Sequence, residues 1–283
     1  MKKIFVYLCL FIVCQFGLGA LELEIKGGVN NMTWQPDIAG AHGIFDPYMF
    51  IIGNLSLRNE LSKAWSFDLS LERDNLLWNS LNFRLKTRAD NFAFDFGVFT
   101  GINDDFSSLD IGISGSMEVT WPGIMFFSLG GSSTIGTLLD FTGDNGREKY
   151  EARIGCWLPF AIPVFTINRK IYNENTKEIT TVTSLIRYEL SIEFFGKTSP
   201  VTLQILGGYQ NFFRTYGEKS PVYPIDEVNS FFAGIDFQFS VSKQLRFIIG
   251  GEMPYIFEYA PQMTLQHELL SMKIYGGVVI KFF

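Results

Sequence analysis

The stretch Leu109-Asp-Ile-Gly-Ile-Ser-Gly-Ser-Met-Glu-Val-Thr-Trp121 alternates between two kinds of residue. Its odd-numbered positions are apolar or glycine, and its even-numbered positions are polar or glycine. Successive side chains of a β-strand point to opposite faces, so this period of two predicts a strand with one apolar and one polar face. The stretch is longer than the usual five or six residues of a soluble strand and reaches the roughly 9 to 11 that a tilted membrane strand needs.

The same pattern recurs along the chain from residue 21 to residue 283. It predicts fourteen strands, at about 21–31, 47–58, 63–73, 78–88, 91–100, 109–121, 123–133, 149–160, 162–170, 180–195, 200–211, 229–241, 244–257 and 269–283. The segment 162–170 is the weakest of them, so a barrel of twelve strands is the architectural alternative.

The predicted connections alternate in length. Short turns such as Ala89-Asp90 and Ser242-Lys243 alternate with mostly longer polar stretches such as Thr134 to Glu148 and Ile171 to Ile179. Short turns on one side and long loops on the other are typical of outer-membrane barrels. The fold class is therefore predicted to be all-β, a transmembrane antiparallel up-and-down β-barrel.

The composition excludes several other classes of protein. The chain has 283 residues, of which 47% are hydrophobic, 16% aromatic and 18% charged, so it is too apolar for a disordered chain. Lys and Arg number 23 against 29 Asp and Glu, and no basic stripe occurs, so a nucleic-acid partner is not expected.

Residues 1–20 resemble a cleaved export signal. Lys2 and Lys3 precede the apolar run Ile4 to Val13, and Leu18-Gly19-Ala20 supplies small residues for cleavage. The predicted division is a signal peptide over 1–20 and one barrel domain over 21–283. Cys156 would then be the one cysteine of the exported chain, so no disulfide is expected.

The polar faces carry most of the charge of the predicted strands. A barrel in lipid turns its apolar face outward, so these side chains are predicted to line the lumen. The lumen candidates are Asp68, Arg84, Asp95, Asp110, Glu118, Arg153, Arg187, Glu189, Asp236, Arg246, Glu252 and Lys273.

The chain ends in Lys273-Ile-Tyr-Gly-Gly-Val-Val-Ile-Lys-Phe-Phe283. This segment resembles the last strand of Gram-negative outer-membrane β-barrel proteins, which end in an aromatic residue that the assembly machinery recognises. The resemblance implies the bacterial outer membrane as location, its lipid as surroundings, and binding of the barrel-assembly machinery through Phe283. Closure of such a barrel predicts that Lys281 lies beside Glu22 or Glu24 on the first strand.

No residue pattern for catalysis or for a cofactor occurs. His42 and His267 lie in predicted loops without a serine placed for attack, and no His-Glu-x-x-His, Cys-x-x-Cys or phosphate loop is present. We therefore expect no enzymatic activity, no metal and no cofactor.

The favoured function is a porin-like channel for small solutes. The first alternative is a surface receptor or adhesin, in which the barrel is an anchor and the loops Met32 to Asp46 and Phe212 to Val228 bind. The second alternative is a transporter of hydrophobic substrates. It would need an apolar inner pocket, to which the inward residues Phe50, Phe99, Phe126, Trp157 and Phe232 could contribute.

One cluster is predicted from turn geometry. A tight turn at Ala89-Asp90 would place Arg84 opposite Asp95, and Asp68 would lie opposite Arg84 or within one pair of it. The three inward side chains would then form a charged ladder that influences the ion preference of the lumen.

Overall fold

The computed structural model describes residues 21–32, 45–73, 79–102, 109–135, 146–175, 180–195, 199–216, 226–259 and 272–282. Their strands are β1 Leu21–Met32, β2 Phe45–Glu60, β3 Trp65–Arg73, β4 Asn79–Ala89, β5 Phe92–Ile102, β6 Leu109–Trp121, β7 Met125–Thr134, β8 Gly146–Cys156, β9 Ala161–Asn175, β10 Thr180–Phe194, β11 Val201–Tyr216, β12 Asp226–Ser240, β13 Leu245–Tyr259 and β14 Lys273–Phe282. No helix in these ranges is long and apolar enough to cross a membrane.

The strands form one closed barrel. Each pairs antiparallel with its neighbours in sequence, and β1 pairs with β14. At this seam Glu22 lies opposite Lys281, and their side chains form an ion pair of 3.0 Å, so the predicted proximity is confirmed for Glu22. Closure removes both sheet edges, as a sheet in hydrocarbon requires.

The prediction of fourteen strands is confirmed, and the twelve-stranded alternative is wrong. The strand predicted most weakly is β9, which spans fifteen residues and pairs along its length with β10. Its weak signal comes from Arg169 on the otherwise apolar face and from Pro163 near its beginning. Backbone pairing to both neighbours does not depend on the polarity of these side chains.

The two ends of the barrel differ. Both β1 and β14 have their outer termini, Leu21 and Phe282, at the end that carries the short connections, such as Asp90 to Asn91. We call this the short-turn end and the opposite end the loop end. Several strands continue further toward the loop end than the sequence predicts, since β8 begins at Gly146 and β9 continues to Asn175. Polar residues pair in these extensions because the wall of a barrel can extend beyond its apolar band.

The apolar face of the strands points outward. The exposed fraction is 61% for Ile111, 61% for Ile249 and 51% for Phe96. Trp65 and Trp121 are exposed near the short-turn end, and Tyr150 is exposed toward the loop end. Aromatic side chains at two depths of an apolar outer surface are typical of membrane barrels.

The predicted pairing of Arg84 with Asp95 is wrong. Arg84 lies opposite Gly97, and Asp95 lies opposite Lys86. The turn consists of Asp90 and Asn91, one residue later than predicted, and a displacement of one residue changes each partner by two positions. The other half of the prediction is confirmed, because Asp68 lies directly opposite Arg84.

Candidate functional site

A cavity of about 560 Å³ lies inside the barrel. Its lining comes from ten of the fourteen strands, β1 to β3 and β8 to β14, so the wall of the barrel surrounds it on most sides. Its seven basic side chains are Lys26, Arg73, Lys149, Arg153, Lys170, Arg187 and Lys273, and its five carboxylates are Glu72, Glu151, Glu189, Asp236 and Glu252. Among the described residues of the lining, only Ile52, Leu185, Pro254 and three glycines lack a polar side-chain group. We call this space the central cavity.

Six of the twelve residues predicted to line the lumen meet at the central cavity. They are Arg153, Arg187, Glu189, Asp236, Glu252 and Lys273. They come from five strands, so the barrel brings together charges that are up to 120 positions apart in sequence.

Arg187 is the centre of an ion-pair network in this group. It extends from β10 to Glu252 on β13, with Nη1 at 2.7 Å from Oε1 and Nη2 at 2.8 Å from Oε2. Nε and Nη2 also donate to Glu189 Oε2, at 3.1 and 2.8 Å. Two parallel bonds from one guanidinium to one carboxylate give both strength and a fixed orientation. The network therefore ties β10 to β13 across the inner face of β11 and β12.

An aromatic ring supports the same guanidinium. The centre of the guanidinium of Arg187 lies 3.7 Å from the ring centroid of Phe232 on β12, a cation–π contact. Phe232 lies opposite Gly208 on β11, where a Cβ atom would be 2.9 Å from the ring. The missing side chain at Gly208 lets the ring lie against the wall, with an exposed fraction of 4%.

Asp236 is held by a tyrosine from two strands away. The hydroxyl of Tyr275 on β14 donates to Asp236 Oδ2 on β12 at 3.0 Å. The tyrosine passes over β13 at Gly250, where a Cβ atom would lie 2.5 Å from the hydroxyl. Asp236 Oδ1 is buried and has no hydrogen-bond partner among the described residues.

A second arginine, Arg147, is more deeply buried. It fills the space between β8 on one side and β4, β5 and β6 on the other. Arg147 is at the loop end of β8, and its Nε donates to Asp110 Oδ2 at 3.0 Å, with both side chains less than one tenth exposed. Its Nη1 donates to the backbone oxygen of Asn79 at 3.2 Å, and the Tyr172 ring is 5.0 Å away. Gly101 leaves the space that this side chain fills, since a Cβ atom there would be 2.6 Å from Nε.

The remaining predicted residues lie apart from the central cavity. Asp68 forms its ion pair with Arg58, at 3.4 Å, rather than with Arg84. Glu118 accepts a hydrogen bond from Thr120 at 3.3 Å. Asp95 and Lys86 are opposite each other in register. The predicted ladder of Asp68, Arg84 and Asp95 is therefore not formed as a chain of direct pairs.

Arg246 and Arg84 line two smaller spaces. Arg246 lies at a pocket near the short-turn end and donates to Ser240 Oγ at 3.3 Å. Arg84 lines a cavity of about 20 Å³ together with Lys149 and Lys170. We call this space the small cavity.

Two basic residues near the beginning of β8 are absent from the predicted lumen candidates. Lys149 stands at the first position of the strand predicted over 149–160, and Arg147 falls in the stretch predicted as a loop. The inward parity of Arg147 becomes visible only when β8 is extended back to Gly146, and Lys149 shares that parity. The sequence does contain this signal, because the alternating pattern can be extended two or three residues toward the N-terminus from Lys149, into the polar stretch predicted as a loop.

The structure bears on the other predicted chemistry in part. His42 and His267 lie outside the described residues. Within the described ranges, no group of three or more His, Cys, Asp or Glu side chains is placed to hold a metal ion.

The inner aromatic residues do not form an apolar pocket in the central cavity. Phe99, Phe126, Trp157 and Phe232 are absent from its described lining. Phe126 instead packs against Trp157, with ring centroids 5.3 Å apart. The side chain of Phe50 lies outside the described residues.

The chain is similar in fold to solved structures of bacterial outer-membrane proteins. No family model and no curated protein matches it. A bacterial polysaccharide outer-membrane secretin has a TM-score of 0.50 and 9% identity, over 93% of this chain and 98% of that chain. An outer-membrane channel from Pseudomonas putida F1 gives 0.49 and 8%, over 93% and 95%. The OmpT outer-membrane protein of Vibrio cholerae gives 0.46 and 7%, over 94% and 99%. At such low identity the first of these likenesses shows the fold alone, which is the closed antiparallel barrel of bacterial outer-membrane proteins.

Proposed function

We propose that this protein is a bacterial outer-membrane channel through which small polar solutes pass passively. The observation that carries the proposal is the central cavity, which a closed barrel encloses and which charged and polar side chains line. Barrels of eight strands are filled by their own side chains, whereas 16 to 18 strands leave an aqueous channel. A barrel of fourteen strands with a polar inner cavity is closer to the second group.

The outer surface supports a location in a lipid bilayer. Large apolar side chains are exposed on every side of the barrel, and a soluble protein rarely exposes a continuous apolar surface of this extent. The export signal over 1–20, and binding of the assembly machinery through the C-terminal residue Phe283, belong to the same proposal. In this proposal the short-turn end faces the periplasm.

The cavity lining favours polar solutes over hydrophobic ones. A transporter of hydrophobic substrates would need an apolar path, and the described lining offers Ile52, Leu185 and Pro254 among many charged groups. The receptor alternative depends on the long loops, most of whose residues lie outside the described ranges.

Single-channel recording in planar bilayers tests the proposal. The refolded protein should give discrete conductance steps that increase with KCl concentration. Two neighbouring residues on β9 provide a matched pair of variants: Thr166 lines the central cavity, and Ile167 is exposed on the outer surface. Thr166→Trp should lower the conductance because it fills the cavity, and Ile167→Trp should leave it unchanged.

Two results would contradict the channel. Folded wild-type protein that inserts without any conductance would favour a barrel that serves as an anchor. Equal conductance in wild type and Thr166→Trp would show that ions do not pass through the central cavity. Heat-modifiable gel mobility establishes that each variant is folded before it is recorded.

A further inference from the structure

Two lysines face each other directly across neighbouring strands. Lys149 on β8 and Lys170 on β9 are register partners, and both line the central cavity. Opposite residues of an antiparallel pair have Cβ atoms about 4.5–5.5 Å apart, and like charges at this position are destabilising. A negative group bound near both ammonium groups would turn this repulsion into attraction.

A third cation comes from another part of the wall. Arg84 on β4 lines the small cavity together with the same two lysines. Its Nε is buried and has no hydrogen-bond partner within the described part of the chain. Ser132 and Asn82 add a hydroxyl and an amide to the lining. The small cavity therefore collects donors from three strands besides β9, namely β4, β7 and β8.

The formal charge around the small cavity is positive. Arg84, Lys149 and Lys170 contribute three positive charges, and Glu72 contributes the one negative charge among the described lining residues. Glu72 Oε1 is 4.0 Å from Lys170 Nζ, and its side chain is 39% exposed. Lys149 Nζ is 4.0 Å from Glu151 Oε2, and that oxygen also accepts from Asn168 at 3.1 Å. These carboxylates leave an excess of positive charge at the site.

The part of the wall from β10 to β14 differs in how its charges are satisfied. Glu189 and Glu252 accept short hydrogen bonds from Arg187, and Asp236 accepts one from Tyr275. The protein thus supplies donors to its own carboxylates on that wall. On the wall of β8 and β9 it instead places cations opposite each other.

From this arrangement we propose that Arg84, Lys149 and Lys170 form a binding site for a compact oxyanion, either a carboxylate or a phosphate group of a small solute. The small cavity, of about 20 Å³, has room for little more than one water-sized group, so the rest of the solute would occupy the adjoining central cavity. The planar fork of an arginine matches two oxygens of one oxyanion, which favours these groups over chloride. The inference adds a binding site to the proposed channel. Permeation of the bound solute rests on the proposed function, whereas binding itself does not.

Isothermal titration of the refolded protein in detergent tests binding without any assumption about permeation. Inorganic phosphate and acetate serve as separate probes, and their relative affinity distinguishes the two oxyanions. Arg84→Gln and Lys149→Gln should each weaken binding of the preferred probe by about tenfold or more, because each removes one charge-assisted donor. Glu72→Gln should strengthen binding, because it removes the opposing carboxylate.

Lys273→Gln is the matched control. It removes the same charge from the central cavity, and Lys273 is not among the residues that line the small cavity. The control should keep affinity within about twofold of wild type, since charges that are separated in a hydrated space are screened. Lys170→Gln gives a second measurement of the site, in case Lys149→Gln fails to fold.

The outcomes separate the site from the channel. Wild-type protein that binds neither phosphate nor acetate would overturn the inference, and so would equal losses in Lys149→Gln and Lys273→Gln. Binding that is lost in Arg84→Gln, in a protein without conductance, would support the anion site and contradict the channel. Conductance without site-dependent binding would support the channel and overturn the anion site.

Discussion

Removing Arg187 should destabilise the barrel more than any other single replacement of a charged residue in the central cavity. Arg187→Ala leaves Glu252, which is 9% exposed, and Glu189 without their shared guanidinium. Breaking a buried ion pair by removing one partner costs roughly 3–5 kcal/mol. The side chain of Arg187 is 21% exposed, so water screens part of this cost, and we expect a loss of about 3 kcal/mol.

A double-mutant cycle isolates the interaction of Arg187 with Glu252. Glu252→Ala should cost less, about 1–2 kcal/mol, because Arg187 keeps its bond of 2.8 Å to Glu189. The double variant, which combines Arg187→Ala and Glu252→Ala, leaves no guanidinium without its partner. It also has one buried unpaired carboxylate fewer than Arg187→Ala alone. It should therefore cost less than the sum of the two single changes, with a coupling of at least about 1 kcal/mol.

The measurement is urea unfolding of the detergent-folded barrel, followed by tryptophan fluorescence. Arg58 and Asp68 provide the comparison cycle, since their ion pair spans 3.4 Å and their side chains are 59% and 25% exposed. An exposed pair of this kind should show a coupling of only about 0.2–1 kcal/mol. If the changes at Arg187 and Glu252 add to within about 0.5 kcal/mol, the argument for a cooperative network fails.

Two further experiments test the packing of the wall and its closure. Gly250→Ala should lower the free energy of unfolding by about 1–3 kcal/mol, as measured by urea unfolding. The new Cβ atom would displace the side chain of Tyr275, whose hydroxyl donates to Asp236. Gly27→Ala is its control and should be nearly neutral, since its Cβ atom would meet nothing within 4 Å; equal losses at both glycines would contradict the explanation. In a Cys156→Ser background, Glu22→Cys and Lys281→Cys should form a disulfide that non-reducing gels detect, because these residues are direct partners at the seam. Failure to cross-link under oxidation would contradict closure through β1 and β14.

The fold was predictable because its main determinant is local. The alternation from Leu109 to Trp121 predicts a strand with the bounds that the structure gives to β6. A strand in this barrel has one side against lipid and the other toward a polar interior, so each strand shows the period of two independently of its neighbours. Strand ends were harder to predict, because the polar residues at Gly146 to Glu148 continue the sheet beyond the apolar band.

The inner site was less predictable because it depends on register and on contacts between distant strands. Parity places Arg187 and Glu252 on the inner face, yet no local pattern indicates that they meet across two intervening strands. The error at Arg84 has a similar origin, since moving one turn by one residue replaces Asp95 by Gly97 as its partner. The pair of Lys149 and Lys170 likewise emerges only from the register of β8 with β9.

Register also explains how a barrel with many inward aromatic residues keeps space for its charges. Four such residues lie directly opposite a glycine on the adjacent strand: Phe99 with Gly112, Phe126 with Gly155, Phe232 with Gly208 and Tyr275 with Gly250. At each of these glycines a Cβ atom would lie less than 3.0 Å from the ring. The absent side chains let the rings lie along the wall instead of across the interior. The glycines therefore determine both the space of the central cavity and the surfaces on which Arg187 and Asp236 are held, and their effect cannot be read from either strand alone.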